Sequence, residues 1–177
     1  MWLRRVNGYF RHHLMPAKTA IIIRHSYADN AHNVADVLRN LSPKGQETAQ
    51  ILLDLLDGKL RPQRLYTSHA SRALETAKIL NQAWKVPEAQ WRVIRTLYIG
   101  GEDTYLDAIQ HTDPDIDVVC LVGHNPSISY LAGRLCGAFR DGLLPCQALV
   151  LTNQDWRANL GTWQLAQNAI PSTIKDA

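Results

Sequence analysis

No apolar stretch in this chain runs longer than Val118–Val122, far short of the roughly 18 residues that cross a bilayer as a helix. No membrane span and no membrane partner are expected. Cysteine is scarce and odd in number, with 3 in all: Cys120, Cys136 and Cys146. None has the paired short spacing of a zinc site, and the count does not suit a disulfide scaffold. They read as free thiols, mostly buried fillers, in a reducing, cytoplasmic compartment. No His-x-His or His-Glu-x-x-His spacing occurs, so neither a metal nor another cofactor is expected.

An excess of one charge is missing too. Lys and Arg total 19 against 16 Asp and Glu. Residues 1–17 carry Arg4, Arg5 and Arg11 and no acid, which leaves residues 18–177 with 16 charges of each sign. A body without net charge has little with which to hold a nucleic-acid backbone. Arg4-Arg5 suggests an export signal, but Asn7, Gly8, Arg11, His12 and His13 interrupt the apolar region that should follow. Residues 1–17 are therefore read as a basic N-terminal extension, frayed or loosely docked. Met15 stands as an alternative translation start, and contact with membrane headgroups through Trp2, Tyr9 and Phe10 is the less favoured reading.

What is present is an ordinary globular composition. The chain has 177 residues, 46% of them hydrophobic and 20% charged, which fits one domain of roughly 150 residues over 18–177. Strand-like runs alternate with helical patterns, the signature of parallel βαβ units. Lys18–Ile23 suits a central strand buried on both faces. Ser42 caps a helix with Pro43 at its first position, and Gly58 stands where that helix should stop. Leu65–Thr67 is a second strand, followed by a helix whose Ala73, Ala77, Leu80 and Trp84 share a face. A short strand is expected around Val93-Ile94, a helix over Glu102–His111, and the clearest strand over Val118–Val122. A further helix begins at Asn125-Pro126, with Ile128, Leu131, Ala132 and Leu135 on one face. Ala148–Thr152 and Thr162–Ala166 pair as a closing hairpin. The fold class is α/β: a three-layer α/β/α domain with a mostly parallel central sheet. The tryptophans at 84, 91, 156 and 163 read as packing residues.

Candidate chemistry gathers at the strand ends. The first strand runs into Arg24-His25, the second into Ser68 with Arg72 close behind, and the third into Gly123-His124-Asn125-Pro126. In an open parallel sheet these ends face one crevice, where ligands bind. Helix N-termini there favour an anion, and no acid is evident at the strand ends to neutralise the cations. A phosphoryl group is the natural occupant, each guanidinium offering a fork matched to two oxygens. Singly, each residue has an ordinary structural explanation, such as a turn histidine, a solvated arginine or a helix-capping serine; their equivalent placement argues for a shared site. The remaining histidines, 12, 13, 32, 69 and 111, read as surface residues.

Ile23-Arg24-His25, Leu41-Ser42-Pro43-Lys44-Gly45, Thr67-Ser68-His69-Ala70-Ser71-Arg72-Ala73 and Val122-Gly123-His124-Asn125-Pro126 resemble, in order and spacing, the motifs of the histidine phosphatase superfamily. This is the phosphoglycerate-mutase-like group, and within it the chain is most similar to the small SixA-type phosphohistidine phosphatases over about residues 18–167. The resemblance implies a phosphoglycerate-mutase-like fold and a metal-independent phosphatase working through a phosphohistidine intermediate. It implies His25 as nucleophile, Arg24 and Arg72 on the phosphoryl oxygens, His124 completing the pocket, and Arg39 as a further phosphate-binding arginine. Ser68 contacts the phosphate or caps its helix. Glu102 is the better candidate for a general acid in Gly101-Glu102-Asp103. Many relatives have glycine where this chain has Ser26.

One ring nitrogen of His25 should be held protonated by a backbone carbonyl, and neighbouring cations should lower its pKa. The implied substrate is phosphohistidine in a signalling protein, either a histidine-phosphotransfer domain or a phosphotransferase-system protein. The alternatives are a phosphatase of small phosphorylated metabolites and a non-catalytic module that binds phosphorylated protein. A monomer is expected from the resemblance.

Overall fold

The structure, a computed structural model, describes residues 17–30, 33–56 and 60–172. Apart from Ala17, the expected extension lies outside the described residues, as do His12, His13, His32 and Gly58. In chain order the elements are β1 (Lys18–Arg24), α1 (Pro43–Leu55), β2 (Arg64–Thr67), α2 (Ser71–Trp84), β3 (Trp91–Val93), α3 (Thr96–Ile99), α4 (Glu102–Gln110), β4 (Val118–Gly123), α5 (Ser127–Cys136), β5 (Ala148–Asn153) and β6 (Gln164–Ala169). Short 3-10 turns occur at Asp36–Leu38 and Glu88–Gln90. Among the described residues, no helix is long and apolar enough to cross a membrane.

One six-stranded sheet has the order β3-β2-β4-β1-β5-β6. The strands β3, β2, β4 and β1 run parallel, while β5 and β6 pair antiparallel beside β1. Alternation along the central strands builds a core on each face. Ala20, Ile22, Val119 and Leu121 turn one way, toward Leu106 and Ile109 of α4 and Ile128, Leu131 and Leu135 of α5. Ile21, Ile23, Cys120 and Val122 turn the other, toward Ala49 and Leu52 of α1 and Ala73, Ala77, Leu80 and Trp84 of α2. This gives the three layers. All 3 cysteines are buried and unbridged. Trp156 and Trp163 pack with ring centroids 5.9 Å apart in the first core.

Local signals explain most boundaries. The Ser42 hydroxyl accepts the Gly45 N–H at 3.1 Å, and Pro43 opens α1. α5 begins at Ser127, after Asn125-Pro126 rather than within it. Asn125 does not cap that helix: its side-chain oxygen accepts the Ser129 hydroxyl at 2.5 Å, and its amide donates to the Leu143 carbonyl at 2.9 Å. β6 lies a few residues later than expected, and β5 and β6 pair across a register shift between Val150 and Leu151.

Strand register positions the site. Arg24 on β1 is level with Gly123 on β4, and Thr67 on β2 is level with Val122. His25, His124 and Ser68 are therefore the first residues beyond three adjacent strands, at one edge of the sheet. Gly123 is required by a close approach: a Cβ there would sit 2.3 Å from the Tyr105 ring. The Tyr105 hydroxyl accepts the His124 N–H at 3.1 Å and donates to the Leu97 carbonyl at 2.6 Å. Gly123→Ala should therefore lower stability by about 1–3 kcal/mol through overpacking. Denaturant unfolding checks this, and an unchanged midpoint would show that the Tyr105 ring yields without cost.

Candidate active site

β1 delivers Arg24 and His25 together. The Nδ1–H of His25 donates to the Ser26 carbonyl at 2.7 Å, which leaves Nε2 as the ring nitrogen carrying a lone pair. The Arg72 Nε–H points at that Nε2 from 3.2 Å. Ser26 is fully buried. Its hydroxyl donates to the Gly45 carbonyl at 2.7 Å, and its N–H donates to the Thr76 hydroxyl at 3.0 Å. The peptide that fixes the His25 tautomer is thus anchored to both α1 and α2. Gly45 makes this approach feasible, since a Cβ there would fall 2.0 Å from the Tyr27 carbonyl oxygen.

The imidazole of His124 lies beside that of His25, with ring centroids 4.9 Å apart and planes tilted by 54°. The Ser68 hydroxyl is 2.6 Å from His124 Nε2 and accepts the Ala70 N–H at 3.3 Å. When the Ser68 hydroxyl donates its proton to Nε2, the hydrogen of neutral His124 lies on Nδ1. Ser68 thus has a role beyond helix capping: it orients a ring. Arg24 donates from Nη1 to the Leu143 carbonyl at 2.9 Å. Among the described residues, Arg24 Nε and His124 Nδ1 are buried with no hydrogen-bond partner. Buried donors of this kind are what an oxyanion would satisfy.

Arg72 is nearly buried, and its Nη1 and Nη2 donate to the backbone oxygen and carboxylate of Asp36 at 2.6 and 2.8 Å. Arg39 donates to the other carboxylate oxygen of Asp36 at 2.9 Å, and from Nε to the Asp29 carbonyl at 2.8 Å. Arg39 therefore joins the cluster through Asp36; no hydrogen bond links it to either imidazole. The expectation that no acid stands among these cations is corrected by Asp36. It comes from the loop after β1, where no sequence periodicity marks it. The Tyr98 hydroxyl also donates to Asp36, at 2.7 Å, and the Tyr98 ring meets His124 and His69 edge-on with centroids 5.4 Å away in each case.

His69 is another correction. It is half-buried at the rim against Tyr98 rather than a surface residue, and its position directly after Ser68 at a strand end was the available signal. His111 is exposed as expected.

Glu102 is not drawn into the cluster. It opens α4, and its carboxylate lies 3.6 Å from Arg134 on α5. Asp103 pairs with the same guanidinium. Among the described residues, no group of three or more His, Cys, Asp or Glu side chains could hold a metal ion.

The electrostatics favour neutral rings. Burial is the largest cause of a His25 pKa pushed down to about 4; the Ser26 hydrogen bond opposes it, and Arg72 and Arg24 add to it. For His124, burial again leads, followed by His25 and Arg72, and the pKa falls to about 3. The cations expected to lower the His25 pKa do act, but desolvation acts more strongly. Asp36, hydrogen-bonded by Tyr98, Arg39 and Arg72, is held well below the usual carboxylate range.

Folding therefore excludes protons that an unfolded histidine would bind near its ordinary value of 6.5. Stability should be full above that pH and fall as the pH drops from 6.5 toward 4. NMR titration of the ring C–H signals checks the cause: both rings should remain neutral at pH 6. A midpoint at or above 6.5 for either would contradict it.

The chain matches the family model described as the histidine phosphatase superfamily (branch 1) over residues 20–115, a span that includes every candidate residue above except His124. No curated protein matches it significantly by sequence. Among solved structures it is similar to the candidate phosphohistidine phosphatase SixA of Agrobacterium tumefaciens, with 26% identity and a TM-score of 0.75 over 88% of this chain and 99% of that one. A SixA candidate from Nakamurella multipartitia shows 25% identity and a TM-score of 0.73, over 89% and 99%. Phosphoglycerate mutase from Bacillus anthracis str. Sterne, at 16% identity and a TM-score of 0.60 over 88% and 94%, shares the fold. With Arg24, His25, Ser68 and Arg72 assembled at the sheet edge and more than half its length matched, this chain belongs to the histidine phosphatase superfamily.

Proposed function

We propose that the protein hydrolyses phosphohistidine through a covalent intermediate on His25. The observation that carries this reading is the His25 ring, its Nδ1–H held by the Ser26 carbonyl and its free Nε2 facing Arg72. Nε2 attacks phosphorus in line, forming the Nε2–P bond as the bond to the leaving group breaks. Charge on the equatorial oxygens is met by Arg24, Arg72 and the His124 Nδ1–H. Water then attacks the phosphorylated ring, the Nε2–P bond breaks, and both water protons depart with the phosphate.

The choice of leaving group follows from the acids at hand. An ester alkoxide needs a proton donor. Asp36 is too strongly stabilised as an anion to supply one, and Glu102 is turned toward Arg134. Phosphohistidine needs no such donor from the protein, because solvent supplies the proton near neutral pH. Its imidazole, with a reference pKa of about 6.5, leaves as a neutral ring once its far nitrogen is protonated. The pocket mouth supports a protein substrate. The Asp36–Tyr98 hydrogen bond brings together the Asp36–Leu38 turn and α3, where Leu38 is 60% and Ile99 83% exposed. Exposed apolar side chains suit a protein surface better than a sugar phosphate. A cytoplasmic histidine-phosphotransfer domain or phosphotransferase-system protein is the proposed partner.

Incubation with a phosphohistidine peptide and with an aryl phosphate, chelator present throughout, tests the reading. Hydrolysis should favour the peptide, persist with chelator and disappear in His25→Ala. Arg72→Ala should cost about 3–4 kcal/mol in the chemical step, by analogy with loss of an oxyanion donor. Glu102→Gln should leave peptide hydrolysis intact. Activity surviving in His25→Ala would overturn the proposal.

A further inference from the structure

Resting on that reading, we infer that Asp36 is a positioning residue: it holds Arg72 by one edge of its guanidinium so that the other edge faces the nucleophile. A guanidinium offers two edges for bidentate binding, an end edge of Nη1 and Nη2 and a side edge of Nε and Nη2. The backbone oxygen of Asp36 takes Nη1 at 2.6 Å, and its carboxylate takes Nη2 at 2.8 Å. The end edge is thereby occupied. Nε is left 3.2 Å from His25 Nε2, so the side edge lies where a phosphoryl group transferred to that nitrogen would meet it. Asp36 does not stand in the anion's place on Arg72; it fills the opposite edge.

The rest of the network immobilises this carboxylate. Oδ1 accepts from Arg39 at 2.9 Å, and Oδ2 accepts from the Tyr98 hydroxyl at 2.7 Å as well as from Arg72. The Arg39 backbone N–H closes the turn on the Asp36 carbonyl at 3.2 Å. Charge supports the same role, because one fixed anion among Arg72 and Arg39 leaves the pair net positive while denying Arg72 other orientations. Tyr98 completes the arrangement with its ring 5.8 Å from the Arg72 guanidinium carbon and edge-on to His124. The acid from the loop after β1 thus couples Arg72 to both the second imidazole and the rim.

Asp36→Ala, Asp36→Asn, Arg72→Ala and the double variant Asp36→Ala/Arg72→Ala would be compared for phosphohistidine-peptide hydrolysis and for inhibition by tungstate, with thermal melts confirming that each is folded. Asp36→Ala should lower kcat about 100-fold, the scale of a small misplacement at the reacting centre, with little change in KM, and should weaken tungstate inhibition. Asp36→Asn, which keeps an acceptor for Arg72, should recover part of the loss. In the Arg72→Ala background, removing Asp36 should add nothing. Tighter tungstate inhibition in Asp36→Ala would mark the carboxylate as a competitor of the anion and overturn the inference, as would an equal loss with and without Arg72. Wild-type protein inactive on the peptide would instead overturn the phosphatase reading itself.

Discussion

A single hydrogen bond decides what the rest of the pocket can do: the Nδ1–H of His25 on the carbonyl of the next residue, Ser26. An imidazole free to choose its tautomer presents an acceptor at a given nitrogen only part of the time, and a protonated one never does. With Nδ1 committed to the backbone, the lone pair of Nε2 has a fixed direction. Much of the surrounding structure protects that bond. Ser26 is buried and tied to α1 through Gly45 and to α2 through Thr76. Gly45 itself has no room for a side chain, because the Tyr27 carbonyl lies where its Cβ would be.

The second constraint is electrostatic. Arg24, Arg72 and two imidazoles share a small volume, and such a cluster holds together only if the rings stay uncharged and the cations find partners. Burial keeps His25 and His124 neutral, while Asp36 and backbone carbonyls hold the guanidinium groups. Ser68, buried just past β2, holds Nε2 of the other ring, and when its hydroxyl donates there the ring's hydrogen lies on Nδ1. One imidazole thereby presents a lone pair and its neighbour a proton, an asymmetry suited to attack on phosphorus and stabilisation of its oxygens. The two rings have the same chemistry; their partners give them different roles.

The architecture and the central four residues, Arg24, His25, Arg72 and His124, were legible because they depend on periodicity and on strand ends. The continuous apolar runs of β1 and β4 and the Ser42-Pro43 start of α1 follow from local rules. Strand register then brings residues distant in sequence to one edge. Asp36, Tyr98 and His69 were not legible in this way. They sit in irregular segments, the loop after β1, the short α3 and the turn before α2, where position depends on tertiary contacts rather than local pattern. Arg39 was assigned by resemblance to the phosphate, but Asp36 and the Asp29 carbonyl hold it. Glu102 occupies the expected first turn of α4, yet Arg134 on the neighbouring helix attracts its carboxylate.

The central claim is that His25 Nε2 accepts the phosphoryl group, and trapping the intermediate tests it most directly. Wild-type protein mixed with labelled phosphohistidine peptide, quenched in alkali within a turnover and digested, should yield one acid-labile phosphopeptide. Mass spectrometry and phosphorus NMR should place the group on Nε2 of His25. A phosphoryl group on Nδ1, on His124 or on another residue, or turnover without any phosphorylated enzyme, would contradict the account.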